Sequence, residues 1–393
     1  MAYTYRVFDS FDEVDLAAWE EVRMQCGDSI VLDPRFMRTV ESSMKQSCRL
    51  QYVVVYQDNS RPVASACITF MTIDLADFSD RRIAWIIRRL PRRLSRLQQL
   101  RMLVCGLPVS TAHHTLGIAI PSASRDILSI IDGIICRLAS QTAAHAVIYR
   151  EFRQEDLQWT SPLHDLGYRC IPGPPMYFFR PLFQDLQGYC AALKSHYRKQ
   201  IRRSLRKLER SGVEVRVLAD PEAILNVYTP EVHELYHQMR DRADVKFESL
   251  TVDYLRELAS RLGSHVNLIA FSIGSRVIAF GWCIRTKSAY YMLYAGLDYA
   301  LNDELDLYFN LHYAALDSAL RSRVSAIELG ATGDAFKARL GCYSQPSYIF
   351  AKGLTPVMSL VSRHGAKILF PQKPAIPAFE VFNSEFVADL RRS

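Results

Sequence analysis

The sequence predicts an α+β protein of two domains, and three observations support that prediction. The chain has 393 residues, which is enough for two domains of roughly 100–200 residues each. Its second half places helices before and after an antiparallel run of strands, instead of alternating strand with helix. A stretch rich in proline and glycine at 168–181, YRCIPGPPMYFFRP, marks a boundary between the halves.

The first half reads as a mixture of strands and helices. Two β-rich runs flank the turn signal Asp58-Asn59-Ser60 and predict a hairpin within residues 49–73. Hydrophobic periodicity predicts the other elements, which are a strand at 3–8, helices at 12–25 and 34–46, a short strand at 115–120, a helix at 124–141 and a strand at 144–152.

The second half opens with a predicted helix at 186–211, whose apolar residues fall on one face and which ends at Gly212. Three strands at 266–273, 276–285 and 289–298 are separated by short turns, so we expect an antiparallel meander. The remaining predicted elements are a strand at 213–218, helices near 221–241, 251–262 and 304–321, a strand at 326–330 and a short helix at 334–341.

The formal net charge of +7 is concentrated in two stretches. Residues 81–101 hold many arginines and no acidic residue, and residues 194–210 hold eight basic residues against one glutamate. The rest of the chain is acidic, so an anionic partner is expected to meet these two stretches.

Cysteine usage and the N-terminus indicate a cytoplasmic protein. The nine cysteines are scattered and never spaced C-x-x-C, which favours reduced thiols over disulfides or a cysteine zinc site. The first residues lack the basic and apolar regions of a secretory signal, and no apolar run reaches 18 residues. We expect a cytoplasmic location, with peripheral attachment to the inner face of the membrane as an alternative.

The segment at 81–101 has the pattern of a helix that lies in an anionic membrane surface. Apolar residues recur at helical spacing between its arginines, and Pro91 divides it. A helix packed on the core with a basic outer face, or a contact with RNA phosphates, would use the same residues.

The sharpest motif match is HELYH, from His233 to His237. Two histidines four residues apart on a helix, with a glutamate between them, can bind zinc and supply a general base. Here both histidines are expected on a broad polar face of a half-solvated helix, so a polar surface is the preferred interpretation and no metal is expected.

Candidate proton acceptors are Glu151, at the end of a predicted strand, Glu248, in a loop before a helix, and His114, in a turn-rich segment. A carboxylate or imidazole can take the proton that an attacking amine sheds when an amide forms. The phosphate-binding, dinucleotide-binding and serine hydrolase motifs are missing, so those three chemistries have no support.

From about 145 to 353 the chain resembles the FemAB-like and CelD-like branch of the GNAT acyltransferase superfamily. The resemblance is carried by LKSHYRKQIRRSLRKLERSG, YHQMRDRADVKFESLT, the meander IAFGWCIRTKSAYYMLYAGLD and, most specifically, ELGATGDAFKARLGC. The last element maps onto Gly330, Asp334, Phe336, Lys337, Arg339 and Gly341. The first half is more weakly similar to the companion half of two-domain members.

The resemblance implies two tandem GNAT-like domains, each a twisted, mostly antiparallel sheet flanked by helices. We assign residues 1–180 to the first domain, 181–353 to the second, acyltransferase domain and 354–393 to an extension. The resemblance also implies transfer of an acyl or aminoacyl group to an amine, with no bound cofactor.

The chain departs from the superfamily where Q/R-x-x-G-x-G/A would hold the CoA pyrophosphate, because YAGLDYALNDEL stands there. The donor is therefore open between acyl-CoA, acyl carrier protein and aminoacyl-tRNA. Some bacterial ceramide synthases of this branch acylate a long-chain amine, and the segment 81–101 favours such a lipid acceptor at an anionic membrane surface. The alternatives are a FemX-like aminoacyl-tRNA-dependent transferase acting on a cell-wall precursor or small molecule and, as a minor one, a zinc peptidase using His233 and His237.

In the hypothesis that follows from the resemblance, Glu151, Glu248 or His114 acts as the base. Basic and tyrosine side chains bind the donor or line the site, with the lysines and arginines on phosphates or on the developing oxyanion. These residues are Lys194, Arg198, Arg202, Tyr236, Lys246, Tyr294, Tyr308, Lys337 and Arg339.

Overall fold

The chain divides into two units, each built around its own sheet. The computed structural model describes residues 2–27, 29–74, 85, 89, 99–110, 113–242, 249–331, 333–360, 362 and 379–392. Unit 1 comprises Met1–Pro174, Asp244–Glu257 and Pro346–Lys373, and unit 2 comprises Pro175–Ala243, Leu258–Gln345 and Pro374–Ser393. Sheets and helices occur together in both units, so the predicted α+β class is confirmed.

Unit 1 has a sheet in the order β1-β2-β3-β4-β6-β15-β7, with β5 pairing with β3. Its strands are β1 (Tyr3–Phe8), β2 (Cys48–Gln57), β3 (Arg61–Asp74), β4 (Gln99–Cys105), β5 (Leu116–Ile118), β6 (Ala146–Arg153), β7 (Arg169–Pro172) and β15 (Ser347–Gly353). Its helices are α1 (Leu16–Gln25), α2 (Pro34–Met44), α3 (Ser124–Thr142), α4 (Leu157–Thr160), α5 (Pro162–Asp165) and α14 (Pro356–Leu360).

The predicted hairpin forms strands β2 and β3, which pair antiparallel along their length. Asp58 and Asn59 at its tip have positive φ angles of 49° and 64°, the backbone that a tight hairpin turn requires. The core of unit 1 packs the apolar side of α3 against the central strands. Strands β4 and β6 run parallel in the middle of this sheet.

Unit 2 has a sheet in the order β14-β8-β13-β12-β11-β10-β9. Its strands are β8 (Met176–Phe179), β9 (Glu214–Leu218), β10 (Val266–Ile273), β11 (Arg276–Arg285), β12 (Ala289–Leu297), β13 (Ala326–Glu328) and β14 (Tyr343–Gln345). Its helices are α6 (Leu186–Ala192), α7 (Ser195–Arg210), α8 (Pro221–Val227), α9 (Pro230–Arg242), α11 (Tyr299–Leu305), α12 (Leu307–Arg321), α13 (Asp334–Arg339) and α15 (Ser384–Arg392), while α10 (Val252–Leu262) has residues in both units.

The predicted meander is confirmed, since β10, β11 and β12 pair in sequence and antiparallel. One face of this sheet buries a large apolar core against α7 and α12, to which the basic helix contributes Ile201, Leu205 and Leu208. Burial of these three side chains leaves the charged residues of α7 on its outer faces.

Each sheet contains one strand that arrives from a distant part of the chain. Strand β15 follows unit 2 in sequence but pairs with β6 and β7 in unit 1. Strand β8 precedes the helices of unit 2 and pairs with β13 and β14. The predicted domain limits of 1–180 and 181–353 therefore differ from the observed units, because residues 175–180 belong to unit 2 and residues 346–353 belong to unit 1.

Three helices that the sequence predicts as continuous are divided in the structure. The helix predicted at 186–211 becomes α6 and α7, because Leu193 pairs with Phe382 and the Lys194 amide donates to the carbonyl of Val381. The helix predicted at 221–241 becomes α8 and α9, and the one predicted at 304–321 begins earlier and is divided at Asp306.

Most of the predicted interfacial segment 81–101 lies outside the described residues. Only its last residues, in β4, and the isolated positions Trp85 and Arg89 are described. Among the helices that the structure describes, none is long and apolar enough to span a bilayer.

Candidate active site

The sheet of unit 2 opens between β12 and β13. These two strands run parallel and pair only from Ala289 to Tyr291 and from Ala326 to Glu328. Strand β12 continues to Leu297, and no described strand pairs with residues 292–297 on that side. Beyond β13, Leu329 and Gly330 hydrogen-bond with Tyr177 of β8, and Gly330 has a φ of 75°. Backbone groups of β12 therefore border an opening in the sheet, which is a common place for a ligand.

A β-bulge in β12 lies at this opening. Trp282 pairs with Tyr294 and Cys283 pairs with Met292, so Leu293 has no opposite residue in β11. A bulge leaves the extra residue outside the ladder and changes the direction of its neighbours. Met292 packs into the core, while Tyr294, opposite Trp282, lies on the other face of the sheet. The bulge thus adds unpaired backbone beside the opening.

Lys337 lies on α13, and its amine lies beside Gly330, close to Met292, where the opening begins. The side chain is 2% exposed, and its Nζ donates to the carbonyl oxygen of Gly330 at 3.1 Å. The same ammonium lies 5.6 Å from the ring centroid of Tyr177. A buried lysine held by a carbonyl and an aromatic ring places a positive charge inside the protein. Such a charge can stabilise a developing oxyanion.

Gly333 precedes α13 and allows close approach of the neighbouring helix. Its φ is 81°, and a Cβ atom built there would collide with the Tyr308 hydroxyl. Tyr308 therefore reaches the backbone that leads into α13, beside the predicted residues Phe336 and Lys337. The motif that carries the family resemblance is thus packed directly against α12.

His312 is a buried, neutral histidine in the same cluster. Its Nδ1 donates to the Tyr308 carbonyl at 2.9 Å, and its ring lies 4.4 Å from that of Tyr308 and 5.2 Å from that of Phe336. Burial, and then the charge of Lys337, lower the pKa of His312 to about 3. The imidazole is therefore uncharged at neutral pH.

The lowered pKa of His312 predicts a loss of stability in mild acid. The unfolded chain binds a proton here below about pH 6.5, while the folded chain does so only near pH 3. The contribution of the neutral His312 imidazole to the free energy of unfolding is complete above pH 6.5, and it falls as the pH drops towards 3. Chemical denaturation should show wild type losing about 2 kcal/mol more than His312→Asn between pH 7.5 and pH 5.

His196, which is exposed on α7, provides the matched control for that measurement. His196→Asn should follow the pH dependence of wild type, because an exposed histidine gains little from folding. Parallel pH curves for wild type and His312→Asn would contradict the assignment of a neutral, buried imidazole at His312.

Glu328 supplies a buried carboxylate at the point where β12 and β13 separate. It is 5% exposed and is the last residue of β13 to pair, opposite Tyr291. Its neighbours Ile327 and Leu329 belong to the apolar core, so the Glu328 side chain points to the other face, the face that also carries Tyr294. Glu328 is therefore an acidic group at the start of the opening, two residues before Gly330, whose carbonyl Lys337 binds.

The predicted bases Glu151 and His114 both lie in unit 1. Glu151 has a positive φ of 68° and lies in a bulge of β6 opposite Ile349 of β15. Its carboxylate accepts hydrogen bonds from Ser110 Oγ at 2.6 Å and from Arg150 Nη2 at 2.7 Å. His114 stacks on Phe152 and lies 3.5 Å from the carboxylate of Asp156.

The predicted donor-binding cations are distributed over α7 and α13. Lys194 pairs with Glu380 at 3.2 Å, and Arg198 donates to the Ala191 carbonyl at 3.3 Å. Arg202 is exposed on α7, and the guanidinium of Arg339 lies 5.8 Å from the Phe379 ring. Lys337 alone among them is fully buried, so these residues do not form one cluster.

HELYH lies on α9, and the structure buries one of its histidines. His233 is 5% exposed and hydrogen-bonds through Nδ1 to the Tyr228 hydroxyl at 2.8 Å. The expectation of a polar face for both histidines is therefore wrong at His233, since α9 packs this residue inwards beside Tyr236. Within the described part of the chain, no cluster of three or more metal-ligating side chains occurs.

The other predicted site residues are separated or lie outside the described part. Tyr236 and Tyr294 are buried in unit 2, and the backbone of Tyr236 contacts Gly296 of β12. Glu248 and Lys246 lie outside the described residues. The sequence analysis did not identify His312 or Glu328. His312 belongs to no motif, and Glu328 begins the stretch ELGATGDAFKARLGC but was not singled out there. The burial of both polar side chains is what identifies them.

Comparison with known proteins identifies a family domain in the second half of the chain. Residues 195–338 match a family model described as an acetyltransferase (GNAT) domain, and this range contains β12, β13 and Lys337. No curated protein matches the sequence.

Three solved structures share the fold at low sequence identity. FemX is 11% identical with a TM-score of 0.55, over 92% of this chain and 100% of that chain. The C-terminal domain of a putative lysylphosphatidylglycerol synthetase from Agrobacterium fabrum is 12% identical with a TM-score of 0.51, over 92% and 99%. A tandem GNAT protein from the clavulanic acid biosynthesis pathway is 12% identical with a TM-score of 0.51, over 90% and 99%. The predicted pair of tandem GNAT-like domains is confirmed.

Proposed function

We propose that the chain is a FemAB-like member of the GNAT superfamily and that unit 2 forms an amide at the opening beside β12. An amine attacks the carbonyl carbon of a thioester or ester donor, and a new C–N bond replaces the C–S or C–O bond of the donor. The amine proton passes to a base, and the leaving thiolate or alkoxide takes a proton. The observation that carries this proposal is the buried Lys337, whose ammonium binds the Gly330 carbonyl beside the opening.

The residues around the opening supply the groups that this reaction needs. Lys337 stabilises the negative charge that develops on the carbonyl oxygen, because its ammonium lies in a place without competing water. Glu328 is the carboxylate at the opening that takes the proton from the amine. Glu151, His114 and Glu248 are the alternative bases predicted from the sequence.

We propose a thioester of CoA or of an acyl carrier protein as the donor, and a long-chain or lipid amine as the acceptor. The support for the lipid acceptor is the sequence of residues 81–101, where arginines alternate with apolar residues and no acid occurs. Such a segment would hold the protein on the inner face of an anionic membrane, within reach of an amine embedded there.

An aminoacyl-tRNA-dependent transferase is the second candidate, and the surface of α7 favours it. Arg198, Arg202, Arg206 and Arg210 follow one another at intervals of four residues, and Lys199 and Arg203 lie beside them. Among the described residues, none of these six cations pairs with a carboxylate. Since four residues of a helix rise about 6 Å, the four arginines form a row that suits a phosphate backbone. FemX also shares the fold.

A single assay tests both candidates. Purified protein is mixed in parallel with a long-chain acyl-CoA, an acylated carrier protein or an aminoacyl-tRNA, each with sphingosine or with a short-chain amine, and products are measured by mass spectrometry. The expected result is an amide of sphingosine from a thioester donor. An amide from aminoacyl-tRNA alone would support the second candidate, and no amide with any donor would contradict both.

A further inference from the structure

A cavity of about 260 Å³ lies where β12 leads into α11 and α12. This is the position where the superfamily motif would hold the CoA pyrophosphate, and where YAGLDYALNDEL stands in this chain. Aromatic rings, one amide and two carboxylates form the walls. The lining residues are Leu297, Tyr299, Asn302, Asp303, Asp306, Tyr308 and Phe309.

Side chains of this segment already accept hydrogen bonds from the backbone amides that a phosphate would need. The Ala300 amide at the start of α11 donates to Asp298 Oδ1 at 3.0 Å. The Tyr308 amide at the start of α12 donates to Asn302 Oδ1, also at 3.0 Å. A phosphate binds at a helix start through such amides, and here it would also face two carboxylates. The cavity therefore does not fit a pyrophosphate.

The two carboxylates of the cavity differ in how they are neutralised. Asp306 is held by Lys207 Nζ at 2.7 Å and by Ser204 Oγ at 2.6 Å. Asp303 is exposed and accepts from the Asn302 amide at 3.1 Å. Among the described residues, no cationic side chain pairs with the Asp303 carboxylate. Lys207 Nζ also donates to the backbone carbonyl of Asp303 at 3.2 Å, so the Asp303 carboxylate itself is the negative group that the cavity offers to a ligand.

The aromatic walls are suited to a positive ligand as well. The guanidinium of Arg242, on α9, lies 4.0 Å from the ring centroid of Tyr299, so one wall residue already contacts a cation. The rings of Tyr308 and Phe309 line the cavity beside Asp303. An aromatic face attracts an organic cation, and a nearby carboxylate adds to that attraction.

We propose that this cavity binds a primary alkylammonium group of a substrate and excludes the pyrophosphate of CoA. Tyr308 connects the cavity to the opening, because its ring lines the cavity and also contacts His312 and Phe336. The inference rests on the proposed function, because the ammonium would belong to a substrate of the amide-forming reaction. That substrate is either the amine acceptor or an aminoacyl donor. In either case the cavity selects a substrate with a cationic group.

Binding of simple amines tests the proposal without any turnover. Isothermal titration at pH 7.5 and low salt would use 1-aminohexane as a model of the acceptor and L-alaninamide as a model of an aminoacyl group. Saturable binding of either probe is expected, and the tighter of the two identifies the source of the ammonium. Asp303→Asn should weaken the binding of the amine at least tenfold. Uncharged 1-hexanol should bind wild type no more tightly than it binds Asp303→Asn.

Glu304 provides the matched control, because it is the next residue of α11, is exposed and does not line the cavity. Glu304→Gln should bind the probes within about twofold of wild type. Equal losses in the two variants, or displacement of the amine by CoA, would overturn the proposal. Amide formation by wild type, together with an unchanged KM for both the amine and the donor in Asp303→Asn, would contradict this inference alone. Amine binding without any amide product would instead contradict the proposed function.

Discussion

Replacing Glu328 by glutamine is expected to lower kcat for amide formation about a hundredfold or more. The carboxylate lies where β12 and β13 separate, and it is a buried acidic group that the structure places at the opening. Glutamine has nearly the same size, so the strand pairing should be kept while the proton acceptor is lost. The KM for the amine should change much less than kcat, because the substituted group acts on the proton and not on binding.

Two further variants decide where the base is. Glu209→Gln changes an exposed carboxylate at the end of α7 and should leave the rate within about twofold of wild type. Glu151→Gln removes the base predicted from the sequence, whose carboxylate is already bound by Ser110 and Arg150. If Glu151→Gln loses its activity while Glu328→Gln keeps it, the base lies in unit 1 and the assignment to Glu328 is wrong.

Local patterns predict most of the elements of this fold but not the strand exchange between its sheets. The meander and the hairpin join neighbouring segments, so alternation and turn residues are enough to define them. Strands β8 and β15 pair with strands that are far away in sequence. The sequences MYFF and SYIFAKG predict strands but do not indicate which strand each one pairs with. Strand propensity is a local property, whereas pairing depends on the whole fold.

The division of the predicted helix at 193–194 is a second case in which the local sequence does not indicate a long-range contact. The apolar spacing of residues 186–208 favours one helix. The structure instead uses the backbone of Leu193 and Lys194 to pair with residues 381–382. Hydrogen bonds from the distant C-terminal segment therefore replace those that a continuous helix would have made.

The candidate site was predicted in part. Lys337 and Tyr308 were named from the family resemblance, and the structure brings them together around Gly333. His312 and Glu328 were missed, because polar residues in a sequence are expected on the surface, and burial is known only from the fold. His233 was expected on a polar face for the same reason, yet it is buried against Tyr228.

Removal of the charge of Lys337 is expected to lower kcat by about 10²- to 10³-fold, the usual effect of losing a group that stabilises an oxyanion. Lys337→Gln removes the charge and keeps a donor for the Gly330 carbonyl, which the lysine now binds at 3.1 Å. Lys337→Met also removes that donor. Both variants should show similar losses in kcat, because the charge is the group that acts on the reaction.

The pKa of His312 reports independently whether the charge of Lys337 has been removed from the interior. Lys337 is the second cause that lowers this pKa, after burial. The pKa of His312 should therefore rise in Lys337→Gln and stay below 6.5, because burial still disfavours the charged imidazole. Titration of the imidazole followed by NMR measures the change. Lys287→Met, at the exposed turn between β11 and β12, should alter neither kcat nor this pKa. A raised pKa of His312 with full activity in Lys337→Gln would show that the charge is present but takes no part in acyl transfer.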